Sequence, residues 1–314
     1  MHWKNGCTAV VLFLYGVVGV WGIPFEFLDE GAGVCAGGMG GTGIAWNGDI
    51  GAMWRNPAGV YSSTFYGVGV MYQDLMGYSG FWGVSGIAPV GDRMAMGLGL
   101  MRFSMGDIPV FPVFQLDEDS LPPEALGYFS EEEWVFQVSL GFPLPGLPVN
   151  GGFALRGYYQ TMLGYTGTGM GFDVSVFAED SLFGGIMGLG LKGENVAKAS
   201  IWWNTESDMV SVLPMGVFFG AKFSYGWKAF QFTGVVDGGY RREFTVRGGA
   251  MCEWKEILGF CAGYNELGAS VGIFLAMRDI RLGYSLSKRE LGIVHRLEIE
   301  WIKGRRDGDK RGYF

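Results

Sequence analysis

From Phe65 onward, apolar residues alternate with small or polar ones at period two, in segments of about ten residues, which is the signal of transmembrane barrel strands. In Phe65 to Gln73 one face carries Tyr66, Val68, Val70 and Tyr72, and the other Phe65, Gly67, Gly69 and Met71. An aliphatic band with tyrosine at each end suits contact with lipid and its two interfaces. The contrast sharpens toward the C-terminus. Phe244, Val246, Gly248, Ala250, Cys252 and Trp254 share one face, while Thr245, Arg247, Gly249, Met251 and Glu253 share the other. Leu297, Ile299 and Trp301 likewise oppose Arg296, Glu298 and Glu300. A charge facing hydrocarbon costs about 2–4 kcal/mol at mid-depth, so these charges are assigned to a polar, filled interior. A soluble sandwich would turn them outward.

About fourteen such strands are predicted, beginning near Phe65, Ser79, Arg93, Glu133, Asn150, Gly169, Gly184, Val212, Lys228, Glu243, Ile257, Ala269, Asp279 and Gly292. Short links at Val90 to Asp92, Tyr225 to Trp227, around Lys255 and at Met277 to Arg278 are all even-numbered connections. The two longest, Ser104 to Glu132 and Gly193 to Ser211, are odd-numbered. Bacterial barrels sort their loops this way, with short turns in the periplasm and long loops outside.

The first residues change the picture from soluble to exported. Lys4 supplies a positive start, Ala9 to Val20 an apolar run, and Val20-Trp21-Gly22 a cleavage site, so residues 1–22 read as a signal peptide. Composition agrees with a membrane barrel. Glycine is 56 of 314 residues, against a usual share of about 7%. Charged residues are only 17%, against about 25% in ordinary soluble domains. No later stretch is long and apolar enough for a membrane helix, and only helices and closed barrels satisfy their backbone inside lipid. The net charge of -8 has the wrong sign for a nucleic-acid partner. No zinc-type spacing exists among Cys35, Cys252 and Cys261, and no cofactor or metal is implied. Cys252 and Cys261 fall on neighbouring strands with opposite parity, so they are not expected to bond.

Between the signal peptide and the first strand lies a different kind of segment. It runs from Gly31 through Gly38-Met-Gly40-Gly41-Thr-Gly43 to Asn47-Gly-Asp49, and then Ala52-Met-Trp54-Arg-Asn56-Pro57-Ala58-Gly59. Its G-x-G-x-x-G spacing lacks the strand–helix context of a dinucleotide site. On Gly38 to Gly41, Asp49 and Asn56 to Gly59, the chain resembles the long-chain fatty-acid transporter (FadL) superfamily, especially its PorV/PorQ branch. Weaker matches are Gly190 to Asn195 and His295-Arg-Leu297. The chain departs from the pattern in having Gly48 at one acidic position and a basic tail after the last strand.

The resemblance implies an all-β, 14-stranded antiparallel transmembrane barrel with an N-terminal hatch plugging its lumen. Residues 23–63 would be the hatch, 64–303 the barrel and 304–314 the tail. The hatch motif comprises Gly38, Gly40, Gly41, Asp49, Asn56, Pro57, Ala58 and Gly59. Pro57 fixes φ, Asn56 bonds nearby backbone and Gly59 is free to take a positive φ. Trp46, Met53 and Trp54 either line a ligand path or fill space.

Enzymatic chemistry finds little support. After processing His295 is the remaining histidine, and parity puts it on the lipid face beside Leu297 and Ile299, out of reach of a nucleophile. Asp117-Glu-Asp119 and Glu131-Glu-Glu133 lack calcium-loop spacing and read as solvated outer-loop charges. Two functions remain for an outer-membrane protein in contact with lipid. One is passage or binding of a hydrophobic small molecule; the other is shuttling or anchoring exported proteins, a type IX secretion-like role. A Met- and aromatic-lined lumen would favour passage, whereas inward Arg156, Lys222, Asp237, Arg247 and Arg281 favour a polar interior.

Overall fold

The computed structural model describes residues 24–63, 65–110, 125–290 and 292–304. The predicted signal peptide, Asp117-Glu-Asp119 and all of the basic tail beyond Gly304 lie outside these residues. Two short α-helices, α1 (Val34–Gly38) and α2 (Ala52–Arg55), are interleaved with 3₁₀ turns at Glu26–Glu30 and Pro57–Val60. Strands follow: β1 (Tyr66–Leu75), β2 (Ser79–Val90), β3 (Met94–Val110), β4 (Gly127–Pro143), β5 (Asn150–Met162), β6 (Tyr165–Leu182), β7 (Gly185–Glu194), β8 (Ser200–Trp203) and β9 (Val210–Val212). The last seven are β10 (Gly216–Trp227), β11 (Phe230–Tyr240), β12 (Phe244–Trp254), β13 (Leu258–Asn265), β14 (Gly268–Met277), β15 (Ile280–Arg289) and β16 (Gly292–Lys303).

All pairings are antiparallel between chain neighbours, apart from three features. β1 pairs with β16 from Tyr66↔Lys303 to Leu75↔Val294, which closes the sheet. β7 pairs with β10, and the β8–β9 hairpin between them attaches to β6 at Gly167↔Trp203 through Met170↔Ser200. The closed ring therefore has fourteen strands, with the hairpin standing outside the count. Closure removes every edge from the ring, the condition for crossing lipid with strands. No helix among the described residues is long and apolar enough to do so.

Parity holds along the strands. Tyr66, Val68, Val70 and Tyr72 are about half exposed on the outer face, while Met71 and Gln73 are buried inside. On β16, Arg296 and Glu300 are buried between exposed Leu297, Ile299 and Trp301. Cys252 and Cys261 are both free, and Cys261 is buried inside the ring. An apolar outer surface of this extent has to be covered, and lipid is the cover that a closed ring accepts.

Eleven strand starts fall within two residues of expectation, while β4, β6 and β10 move by four to six. The largest move carries a correction. β4 begins at Gly127, so Glu131, Glu132 and Glu133 are strand residues instead of solvated loop charges. Glu133 is buried, where its carboxylate accepts the Phe25 N–H at 3.0 Å, and Glu132 pairs with Arg102 at 2.7 Å. Period-two patterning failed here because Glu131, Glu132 and Glu133 carry charge at three successive positions. The segment read as one long connection, 193–211, contains the β8–β9 hairpin. The two longest connections do share one rim, but five others on that rim are turns of two or three residues. One is Leu163-Gly164, with φ of 53° and 81°, the doubly positive geometry that suits strand twist.

Candidate functional site: the lumen and its N-terminal segment

Residues 24–63 are held by inward side chains from nearly all round the ring, in three seats. The first is formed by β13 to β16. The α1 N-terminus donates Val34 N–H to Glu298 Oε2 at 2.7 Å. Arg296 donates to the Gly33 and Glu30 carbonyls, both at 2.9 Å. Ser270 Oγ and Asn265 Nδ2 donate to the Gly38 and Gly40 carbonyls at 3.0 Å each. Close approach explains the glycines. A Cβ on Gly40, whose φ is +79°, would lie 2.8 Å from Tyr264 O, and one on wall residue Gly263 would lie 2.1 Å from the Met39 carbonyl carbon. Gly41 is also left-handed, at φ 77°, and Gly38 faces the Cys261 sulfur.

The second seat receives the end of α2. Met53 O accepts Gln137 Nε2 at 2.6 Å and Ser139 Oγ at 3.1 Å. Trp54 O accepts Lys192 Nζ at 3.3 Å and Arg156 Nη2 at 3.4 Å. Carbonyls left over at a helix end are thus met by wall donors, two of them cationic. Asp49 forms a buried ion pair with Arg55 and accepts Trp46 Nε1 at 3.3 Å. Arg55 also reaches the Ala32 carbonyl, which ties the helical pieces to one another.

The third seat is the Asn-Pro-Ala-Gly turn. Asn56 Oδ1 accepts Ala58 N–H at 3.1 Å, and its Nδ2 donates to Ile44 O at 2.7 Å. Pro57 begins the 3₁₀ turn, where its missing N–H costs nothing. Ala58 lies against Gly152, whose Cβ would come within 2.2 Å of Ala58 N. Gly59 does not take the expected positive φ, because it sits inside that 3₁₀ turn with ordinary helical backbone.

Between the seats, the lumen has two unlike sides. One contiguous apolar cluster runs from Ile201, Trp203 and Leu213 near the long-loop rim to Phe65, Ile87 and Ala95 at the rim where the ring's termini meet. On the way it passes Tyr158, Phe25, Phe27, Phe81, Met101 and Trp54. Ring centroids lie 4.6 Å apart for Phe25–Tyr158 and 5.6 Å for stacked Phe27–Phe103. The opposite side is ionic. Arg156 pairs with Asp173 at 2.9 Å and Glu194 at 2.6 Å, and Lys192 with the same two at 3.2 and 3.4 Å. Arg241 adds a contact to Glu194 at 2.9 Å. Further round, Asp237 Oδ2 accepts Ile44 N–H at 3.0 Å, Lys222 donates to Asn47 at 2.7 Å and Arg281 pairs with Glu300 at 2.7 Å.

A cavity of about 70 Å³ lies between these sides. Of the three residues considered for a ligand path, Trp54 lines it. Trp46 instead packs with Cys35, Met39, Met251 and Phe274, and Met53 is fully buried against Gly97 and Gly99. Asp173, Lys192 and Glu194 were not among the expected site residues, although Lys192 and Glu194 fall within the weakly matching Gly190 to Asn195. His295 lies on the outer face, 2.8 Å from Tyr284 Oη.

No protein-family profile matches the chain, and no curated protein matches it in sequence. Solved structures do match. The toluene transporter TbuX of Ralstonia pickettii superposes with a TM-score of 0.59 at 12% identity, over 88% of this chain and 99% of that one. The toluene transporter TodX of Pseudomonas putida gives 0.53 at 12% identity, over 87% and 97%. A deltaS2S3 mutant of the TodX monoaromatic hydrocarbon channel gives 0.56 at 12% identity, over the same shares of the two chains. At such identity the likeness is one of fold, a closed antiparallel barrel of fourteen strands.

Proposed function

We propose that this protein resides in the bacterial outer membrane and passes a hydrophobic small molecule through a lumen gated by residues 24–63. One observation carries the reading: the apolar cluster that runs from rim to rim and includes residues of both the wall and the N-terminal segment. A wall built only for stability inside a polar plug has no need of a continuous apolar route. A hydrophobic molecule does, because every polar break in the route adds a desolvation cost. The N-terminal segment interrupts that route with Phe27, Met53 and Trp54, so passage requires it to shift. In this reading it is a hatch, and Gly38, Gly40, Gly41, Asp49, Asn56, Pro57, Ala58 and Gly59 are the residues that seat it. The neighbours described as transporters of toluene support the same class of cargo. The PorV/PorQ-type role, shuttling or anchoring exported proteins, predicts a stoichiometric protein partner instead.

The test is uptake by proteoliposomes containing the purified protein. Labelled monoaromatic compounds should enter faster than into empty vesicles, and a disulfide tethering residues 24–63 to the wall should abolish the difference until it is reduced. Equal entry with and without protein would overturn the reading. Protein that extracts from isolated outer membranes with exported proteins bound and no apolar molecule would favour the anchoring role.

A further inference from the structure

The outer face of the ring differs from one sector of its rim to another, and the difference points to a lipid partner. At the rim where the ring's termini meet, turns follow β10, β12 and β14, and β16 ends there as well. These positions carry Lys228, Lys255, Arg278 and Lys303, all exposed. Glu256 and Asp279 stand in the same turns, so four cations against two carboxylates leave a formal excess of two positive charges. On the same rim, the turns at 144–149 and Phe183-Gly184 carry no charged residue.

Two of these cations are placed over rings. Lys228 Nζ lies 4.7 Å from the Trp227 ring centre, and Lys255 Nζ 5.3 Å from that of Trp254. A ring face attracts an ammonium without cancelling its charge, as a carboxylate would. Both lysines and Arg278 hold left-handed backbone, with φ of 55°, 51° and 53°, so the three turns present their cations on like backbone. The turns are also fixed to the strands beside them: Lys255 N–H donates to Ala229 O, Ala276 N–H to Ile257 O and Ile302 N–H to Asp279 O, each at 2.7 Å. The cations thus form a fixed row instead of riding on independent loops. Outward Trp227, Phe230 and Trp254 make one cross-strand row beside them. Aromatic rings so placed sit at the level of lipid head groups. Resting on the outer-membrane reading above, in which this rim is the periplasmic one, we infer that this sector binds the head group of an anionic phospholipid. The phosphate lies between Lys228 and Lys255, with the glycerol and upper acyl chains on Trp227, Phe230 and Trp254. A zwitterionic head group carries its own ammonium beside the phosphate and gains less from the row. A free phosphate would leave the aromatic row uncovered.

The experiment is native mass spectrometry of the delipidated protein in detergent, mixed with equal amounts of dioleoyl phosphatidylglycerol and dioleoyl phosphatidylethanolamine. The phosphatidylglycerol should be retained at least about fivefold more, the effect of roughly one cation on an anionic lipid. Replacing both lysines, Lys228→Gln with Lys255→Gln, should bring the ratio toward one, while Lys198→Gln on the opposite rim should leave it unchanged. Should the double variant fail to fold, the two single substitutions are read in the same way. Equal retention of the two lipids by the unaltered protein would overturn the inference and leave hydrophobic passage intact. A preference that survives loss of both lysines would overturn it too, since the site would lie elsewhere. Displacement of the lipid by excess inorganic phosphate would mean a simple anion site, against the lipid assignment. Absence of the protein from isolated outer membranes would bring down the outer-membrane reading, and this inference with it.

Discussion

The two sides of the lumen solve the same packing problem by opposite means. The apolar side, mostly from β1 round to β5, meets the N-terminal segment through Phe25, Phe27, Met53 and Trp54, contacts that are non-directional and tolerant of repacking. The ionic side, from β5 to β12, meets it through bonds to individual backbone atoms such as Trp54 O and Ile44 N. The sides join on β5, where inward Arg156 and Tyr158 are neighbours at alternate positions. Directional contacts hold a segment in one place, whereas apolar contacts allow it and a cargo to slide. A gated channel of the kind proposed would need both, and this barrel separates them.

The sharpest way to break the comparison is to remove a charge from the ionic side. Arg156→Met leaves Asp173 and Glu194 short of a partner in a buried setting and should cost about 3–5 kcal/mol. Urea unfolding in detergent micelles measures it. A loss under 1 kcal/mol would mean that the network is wet and weak. Next is Gly263→Ala, whose methyl has no room beside Met39 and should cost about 1–3 kcal/mol through overpacking. Limited proteolysis should then cut within residues 24–63 while the ring stays intact. Asn56→Ala removes the side-chain cap from the Pro57–Val60 turn, with an expected cost of about 1 kcal/mol and faster cleavage of the same segment. On the apolar side, Phe81→Leu keeps most of the volume and should cost less than about 1.5 kcal/mol, while changing uptake rates among cargoes of different size. The smallest effect belongs to neither side. His295→Ala on the outer face should stay within about 0.5 kcal/mol and leave uptake unchanged.

How much of this was legible in the chain varied with the element. Strands β11 to β16 were readable to within about two residues, since inward charges at Arg247, Arg296, Glu298 and Glu300 alternate with outward apolar residues. β4 was misplaced because Glu131 to Glu133 carry charge at three successive positions, which erases period two. The β8–β9 hairpin is too short to show a period at all, and its pairing with β6 is a long-range event. The motif at Gly38 to Gly41, Asp49 and Asn56 to Gly59 was recognisable as residues but not as contacts. Gly59 fits this pattern: its type suggested a left-handed turn, whereas the site demanded a 3₁₀ turn led by Pro57. Trp46, Met53 and Trp54 are indistinguishable in composition, and only their neighbours separate the one on the cavity from the two that pack.

Alternation along the chain determined that the strands cross a membrane with an apolar outside and a polar inside, because side-chain parity is a local property of extended backbone. Which inward residues meet was decided only by the tertiary structure. Strand pairing brings Arg156 to Glu194, and the seating of residues 24–63 brings Asp237 to Ile44, across separations that no local pattern records. The division of the lumen into an ionic side and an apolar side arises there, since it depends on which strands become neighbours of one folded segment and not on the order of residues within any of them.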